Sequence, residues 1–222
     1  MPATQVLEKS ISIANDAMPL AVLWHLVIGG VLLAAVGGWR PSRRSCDLML
    51  CVPLASVAVI AGAFGMWIDS VVFAALTAVL AVVGWRAGRA PIDPGTDASD
   101  FAGGAMLMFG AAYPHFVGVG SPLEYLYAAP IGLLAAPTLA LVTGLALFTG
   151  DHGGRTWARI LVAADVAYGF YGLFYLGVYL DIALILGGAI LLATTIHAEQ
   201  HVAETIAVAA PVEAAAAAMS TR

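Results

Sequence analysis

Ala17-MPLAVLWHLVIGGVLLAAVGG-Trp39 is a run of 23 residues without Asp, Glu, Lys or Arg, held between Asp16 and Arg40. It exceeds the roughly 20 apolar residues that a ~30 Å hydrocarbon core requires. Phe101 to Leu123, between Asp100 and Glu124, is a second run of the same kind. Reading outward from these two predicts seven spans: Met18–Gly38, Leu48–Ile68, Ser70–Gly88, Phe101–Val119, Leu126–Gly150, Thr156–Tyr175 and Val178–Ile196. The expected fold class is therefore all-α, a polytopic transmembrane bundle of seven helices.

Composition agrees. With 61% hydrophobic and 10% charged residues, 222 residues have too little polar surface to solvate a globule. The net charge of −5 is scattered rather than concentrated, so no basic footprint for nucleic acid exists and the expected partner is the lipid bilayer. Cys46 and Cys51 form no CxxC pair and flank an arginine-rich loop on the expected reducing side, which argues against a disulfide.

Arginine placement sets the expected orientation, because basic residues flanking a span are retained in the cytoplasm. Arg40, Arg43 and Arg44 follow the first span, Arg86 and Arg89 follow the third, and Arg155 with Arg159 lies between the fifth and sixth. All seven fall on one side. The N-terminus is thus expected outside and the C-terminus inside, in the plasma (inner) membrane, with Trp39, Trp85 and Trp157 at inner boundaries and Trp67 at an outer one. Residues 1–17 read as an outer amphipathic segment with Leu7, Ile11 and Ala14 on one face, and without a cleavable signal. Residues 18–200 form the membrane domain, and the alanine-rich 201–222 reads as a mobile cytoplasmic tail.

The fifth span contains Pro130, Gly132, Pro137 and Thr138. Pro137 cannot donate to the carbonyl of Leu133, so a kink with a free acceptor at membrane depth is expected. Thr138 either bends back to satisfy an acceptor or lines a polar cavity. With Tyr127 and Gly144, these residues make the segment resemble an uncharacterised bacterial family of multi-pass membrane proteins with a Pro-Thr pair heading an apolar helix. That family has Pro-Cys where this chain has Ala135-Ala136, and the resemblance implies a membrane fold without implying an activity.

Asp165 is the outstanding ionisable residue, near mid-depth in the sixth span. An acid there costs about 2.5–3.5 kcal/mol on insertion scales and normally faces the bundle. Tyr168, Gly172 and Tyr175 extend a polar stripe from it, suited to relaying a proton or binding a cation; the plainer reading is a buried acid bonded to a neighbouring helix. His25, His115, Asp69 and Asp181 all fall in the outer half. Together they would suit a divalent metal, or the two histidines a haem, while each histidine alone is more often an interhelical hydrogen-bonding residue. His197 and His201 share a helix face, as in the seven-helix hydrolases related to adiponectin receptors, but the earlier Ser-x-x-x-His of those enzymes is missing. No lysine stands in the seventh span for a retinal Schiff base.

Shifting the first three spans by 112 positions lays Arg43 on Arg155, Gly65 on Gly177 and Asp69 on Asp181. The arrangement resembles the parallel repeats of sugar-transporting SWEET proteins, although seven evenly spaced helices overlay on themselves in any case. Three readings follow: a small-solute or ion transporter or ligand-binding protein with an intramembrane acid, a metal- or haem-dependent membrane enzyme, and a non-catalytic subunit. Small-residue faces such as Ala58/Gly62 and Gly187-Gly188 suit close helix packing, within the chain or in a homo-oligomer or membrane complex.

Overall fold

The computed structural model describes residues 1–92, 98–118, 121–149, 155–198 and 200, without the side chains of Ala98, Pro122 and Thr149. The tail 201–222, and with it His201, lies outside the described residues. The described chain is all-α: α1 (Ala3–Asp16), α2 (Met18–Val36), α3 (Arg43–Ala63), α4 (Trp67–Trp85), α5 (Ala98–Ala111), α6 (Tyr125–Ala128), α7 (Ala135–Thr149), α8 (Arg155–Leu176) and α9 (Tyr179–Ala198). The last stretch of α8, Tyr171–Leu176, is a π-helix.

Among the described residues five helices, α2, α3, α4, α8 and α9, are long and apolar enough to cross a bilayer, which makes this a multi-pass membrane protein and corrects the expectation of seven spans. The two expected spans that fail are the fourth and fifth. The described part of α5 has 14 residues and that of α7 has 15, which at the helical rise reach about 21 and 22 Å, short of the ~30 Å core. Prolines account for both failures. Tyr113 precedes Pro114 and is steered out of the helical region, and the chain leaves helix after Ala111, with Phe116 at φ 74°. Between α6 and α7 the backbone of Ala129–Leu134 is buried and irregular. Pro137 thus lies in the first turn of α7 rather than in mid-helix, where its missing N–H costs nothing, so the expected kink is replaced by a break.

Non-helical backbone at such depth survives only where protein supplies its partners. Thr138 Oγ1 donates to the carbonyl of Leu134 at 2.6 Å and accepts the amide of Gly132 at 2.8 Å. Thr138 thus bends back, though onto the carbonyl of Leu134 rather than the expected Leu133 acceptor. Gly132 has φ 71°, and an added Cβ would lie 2.2 Å from Trp24 Nε1. The indole itself donates to Ser56 Oγ at 3.2 Å, so one tryptophan locks α2, α3 and the break together.

The core is built from two antiparallel pairs. In α3/α4, Gly62 admits Ser70, whose hydroxyl bonds the carbonyl of Ala58 at 2.8 Å, and Gly84 admits the buried Asp47. In α5/α7, an added Cβ on Gly103 or Gly110 would strike the backbone of Gly144 or Pro137 at 2.9 and 2.7 Å, the close approach that small residues permit between helices in lipid. α7 lies at the centre, with Leu139, Ala140, Leu141 and Val142 fully enclosed. α2 is peripheral and presents Leu23, Leu26, Leu33 and Val36 outward, as a lipid-facing helix should.

The two ends of the bundle differ in chemistry. At one, the loops after α2 and α4 join: the amides of Arg43 and Arg44 donate to the carbonyls of Ala90 and Gly88, and the Arg44 guanidinium stacks 3.2 Å over the Trp85 ring. This is the arginine end. At the other, the acid end, α3 turns into α4 through Gly65 (φ 71°) and α8 into α9 through Gly177 (φ 72°). The starts of α3 and α4, their connecting glycine and Asp69 thus recur in α8, α9, Gly177 and Asp181, each displaced by 112 positions.

α1 lies across the acid end. Val6, Ser10, Ile13 and Ala14 are its buried residues, while Ile11 is exposed and Leu7 half-buried. Ala14 is buried as expected, and the inward stripe is otherwise rotated by roughly 80° from the expected Leu7, Ile11 and Ala14 face. Three polar straps hold it. Lys9 Nζ donates to the carbonyls of Phe64 and Gly65 at 3.0 and 3.1 Å, meeting the C-terminal end of α3. Asn15 brackets the loop after α5 by donating to the carbonyl of Phe116 and accepting the amide of Gly118. The Tyr175 hydroxyl donates to the carbonyl of Met1 at 2.7 Å. Lys9→Met should loosen α1 by about 1 kcal/mol, read as faster hydrogen exchange at amides 3–16 with α3 and α4 unaffected; unchanged exchange in α1 would show that Lys9 is no strap.

Candidate functional site

α8 carries the intramembrane acid. Its inward face repeats Trp157, Leu161, Asp165 and Gly169, all buried, and Asp165 has no solvent-exposed surface. Thr143 of α7 donates to Asp165 Oδ2 at 2.6 Å. Asp165 Oδ1 is buried with no hydrogen-bond partner among the described residues. On the third side is Gly188 of α9, where an added Cβ would stand 3.1 Å from Asp165 Cβ. The acid faces the bundle, as expected, but the hydroxyls of Tyr168 and Tyr175 bond elsewhere. Tyr168, about 60° around the helix from Asp165, donates to Asp69 Oδ1 of α4 at 3.1 Å. The π-helix then carries Tyr175 out to Met1.

The acid end gathers two further carboxylates. Asp69 and Asp181 stand in the first turns of α4 and α9, where the helix N-terminus favours negative charge. The hydroxyl of Tyr113 donates to Asp181 Oδ1 at 2.5 Å. Burial, and then the adjacent Asp181 charge, push the Tyr113 phenol well above its ordinary value, so it remains a donor. The Asp181 carboxyl rests on Gly172, where even a methyl group would collide with it. Tyr113→Phe should remove a hydrogen bond to a charged group, about 1.5–3 kcal/mol, lowering the thermal midpoint in detergent; an unchanged midpoint would show that the pair is not structural.

Both carboxylates border one cavity of about 50 Å³ beneath α1, together with Ser10, Ile13, Tyr168 and Tyr171. Such a volume accommodates a few water molecules. Tyr113, Thr143, Ser10 and Trp24 are the residues that sequence reading missed. Tyr113 alone carried a signal, standing before the proline that ends α5.

The four expected metal ligands are differently engaged. His25 Nδ1 and Nε2 lie 2.8 and 2.9 Å from the carbonyls of Ala21 and Ala111. The second contact caps the last residue of α5. A metal or haem iron bound through His25 would displace one of these bonds. His115 packs edge-on against Phe116, ring centroids 4.3 Å apart, and burial lowers its pKa, favouring the neutral ring. Among the described residues no three His, Cys, Asp or Glu side chains are grouped to hold a metal ion. No protein-family model, curated protein or solved structure matches this chain, and the resemblance to a multi-pass bacterial family through the Pro-Thr segment gains no support from them.

Proposed function

We propose that this protein is a small-solute or ion transporter, or a ligand-binding membrane protein, of the plasma membrane that works through Asp165. One observation carries the reading: a carboxyl group enclosed between α7, α8 and α9 has one oxygen bonded to Thr143 and the other, among the described residues, without a hydrogen-bond partner. Charge in such a place needs a proton or a counter-ion. The broken segment before α7 adds support, since interrupted helices at membrane depth accompany solute sites in transporters.

The test uses proteoliposomes on a solid-supported membrane, exposed to concentration jumps of inorganic cations, organic cations, amino acids and sugars. At least one class should evoke a transient current in the wild type that disappears in Asp165→Asn. Currents no larger than those of empty liposomes, or equal currents in the variant, would refute the reading.

A further inference from the structure

Beside the acid-end cavity, and sharing its wall of Met66, Asp69, Tyr168 and Tyr171, lies a groove of about 580 Å³ between the first turn of α4, the π-helix of α8 and the start of α1. That is the size of a small-molecule site, about 300–1,000 Å³. Its lining includes Asp69 but no Lys, Arg or His side chain. Tyr168 is the one hydrogen-bond donor to Asp69 among the described residues, and it engages Oδ1, leaving Oδ2 open to a ligand. The rest of the lining is apolar and includes four aromatic side chains, Trp67, Tyr168, Tyr171 and Tyr175, beside aliphatic ones such as Ile68 and Val72. The rings of Tyr171 and Tyr175 stack at 5.1 Å and 20°, Tyr168 meets Tyr171 edge-on at 6.2 Å, and Trp67 lines the same groove from α4.

A carboxylate among aromatic rings has the chemistry of cation recognition, because ring faces carry negative potential. A small inorganic ion would give up its water for one carboxylate and few other oxygens, a poor exchange for a hard cation. A neutral apolar molecule would bury Asp69 without a countercharge. We propose that this groove binds an organic cation, an ammonium ion with apolar substituents, its charge on Asp69 and its substituents against Tyr168, Tyr171, Tyr175 and Trp67. Asp165 does not line this groove, so the proposal goes beyond the reading above.

The full chain in nanodiscs of phosphatidylglycerol, which has no ammonium headgroup, is titrated with tetraethylammonium chloride by calorimetry, with sodium chloride as control. Saturable binding is expected, weakened at least ten-fold by Asp69→Asn and several-fold by Trp67→Leu; Trp67 is 69% exposed, so its replacement leaves the core intact. No saturable heat, or equal affinity in both variants, would overturn the proposal. Loss of binding in phosphatidylcholine nanodiscs would overturn it in favour of a lipid headgroup as occupant. The two readings fail separately: tetraethylammonium binding without any solute-evoked current sinks transport alone, and currents from other solutes without tetraethylammonium binding sink the organic cation alone.

Discussion

Gly132→Ala should be the most damaging single-methyl change in the buried break before α7. Two penalties coincide there. The backbone is left-handed at φ 71°, and the new Cβ would lie 2.2 Å from Trp24 Nε1 and 2.4 Å from Trp24 Cδ1. The first costs about 1–2 kcal/mol for a residue with a side chain, and overpacking adds about 1–3 kcal/mol. Relief requires Trp24 to move, which breaks its bond to Ser56 and separates α2 from α3. A large fall in monodisperse yield, or a lowered thermal midpoint in detergent, is expected. Trp24→Ala with Gly132→Ala should recover part of the steric loss while keeping the backbone penalty. A Gly132→Ala protein as stable as wild type would mean that the break does not pack as described.

Asp165→Asn should have the opposite profile, with folding retained and function lost. An amide fills the same space and can still accept from Thr143, so the midpoint should change little. What disappears is the capacity to carry a proton or a countercharge. Thr143→Val is the complementary change: it removes the hydrogen bond at Oδ2 and leaves a wholly buried carboxyl with neither oxygen satisfied. It should cost about 1–3 kcal/mol or more. Equal stability losses in the two variants would assign Asp165 a structural role.

The five long spans were legible because a long apolar run with few charges depends on composition alone. Composition could not separate α5 and α7 from spans, since a short helix buried among other helices is as apolar as one facing lipid. Pro114, Pro130 and Gly132 carried the warning, and reading Pro137 as a mid-helix kink placed the interruption several residues too late. The shared end of the first two arginine loops was visible in the sequence, and the Arg43 and Arg44 amides now show them joined. Asp165 was legible because acids are rare in spans, whereas Thr143 was not, being one hydroxyl whose meeting with Asp165 depends on how α7 packs on α8. Asp69 and Asp181 stood out as equivalents under the 112-residue shift. Their tyrosine partners come from α8 and from the end of α5, distant contacts that no local spacing encodes.

Infrared difference spectroscopy of the protein with labelled aspartate tests the central claim most directly. Thr143 from α7 and Gly188 from α9 are the residues found against the Asp165 carboxyl, and neither titrates. The expected result is a carboxyl C=O band that responds to pH or to added cation and is absent in Asp165→Asn. A spectrum identical in wild type and Asp165→Asn under every condition would contradict it.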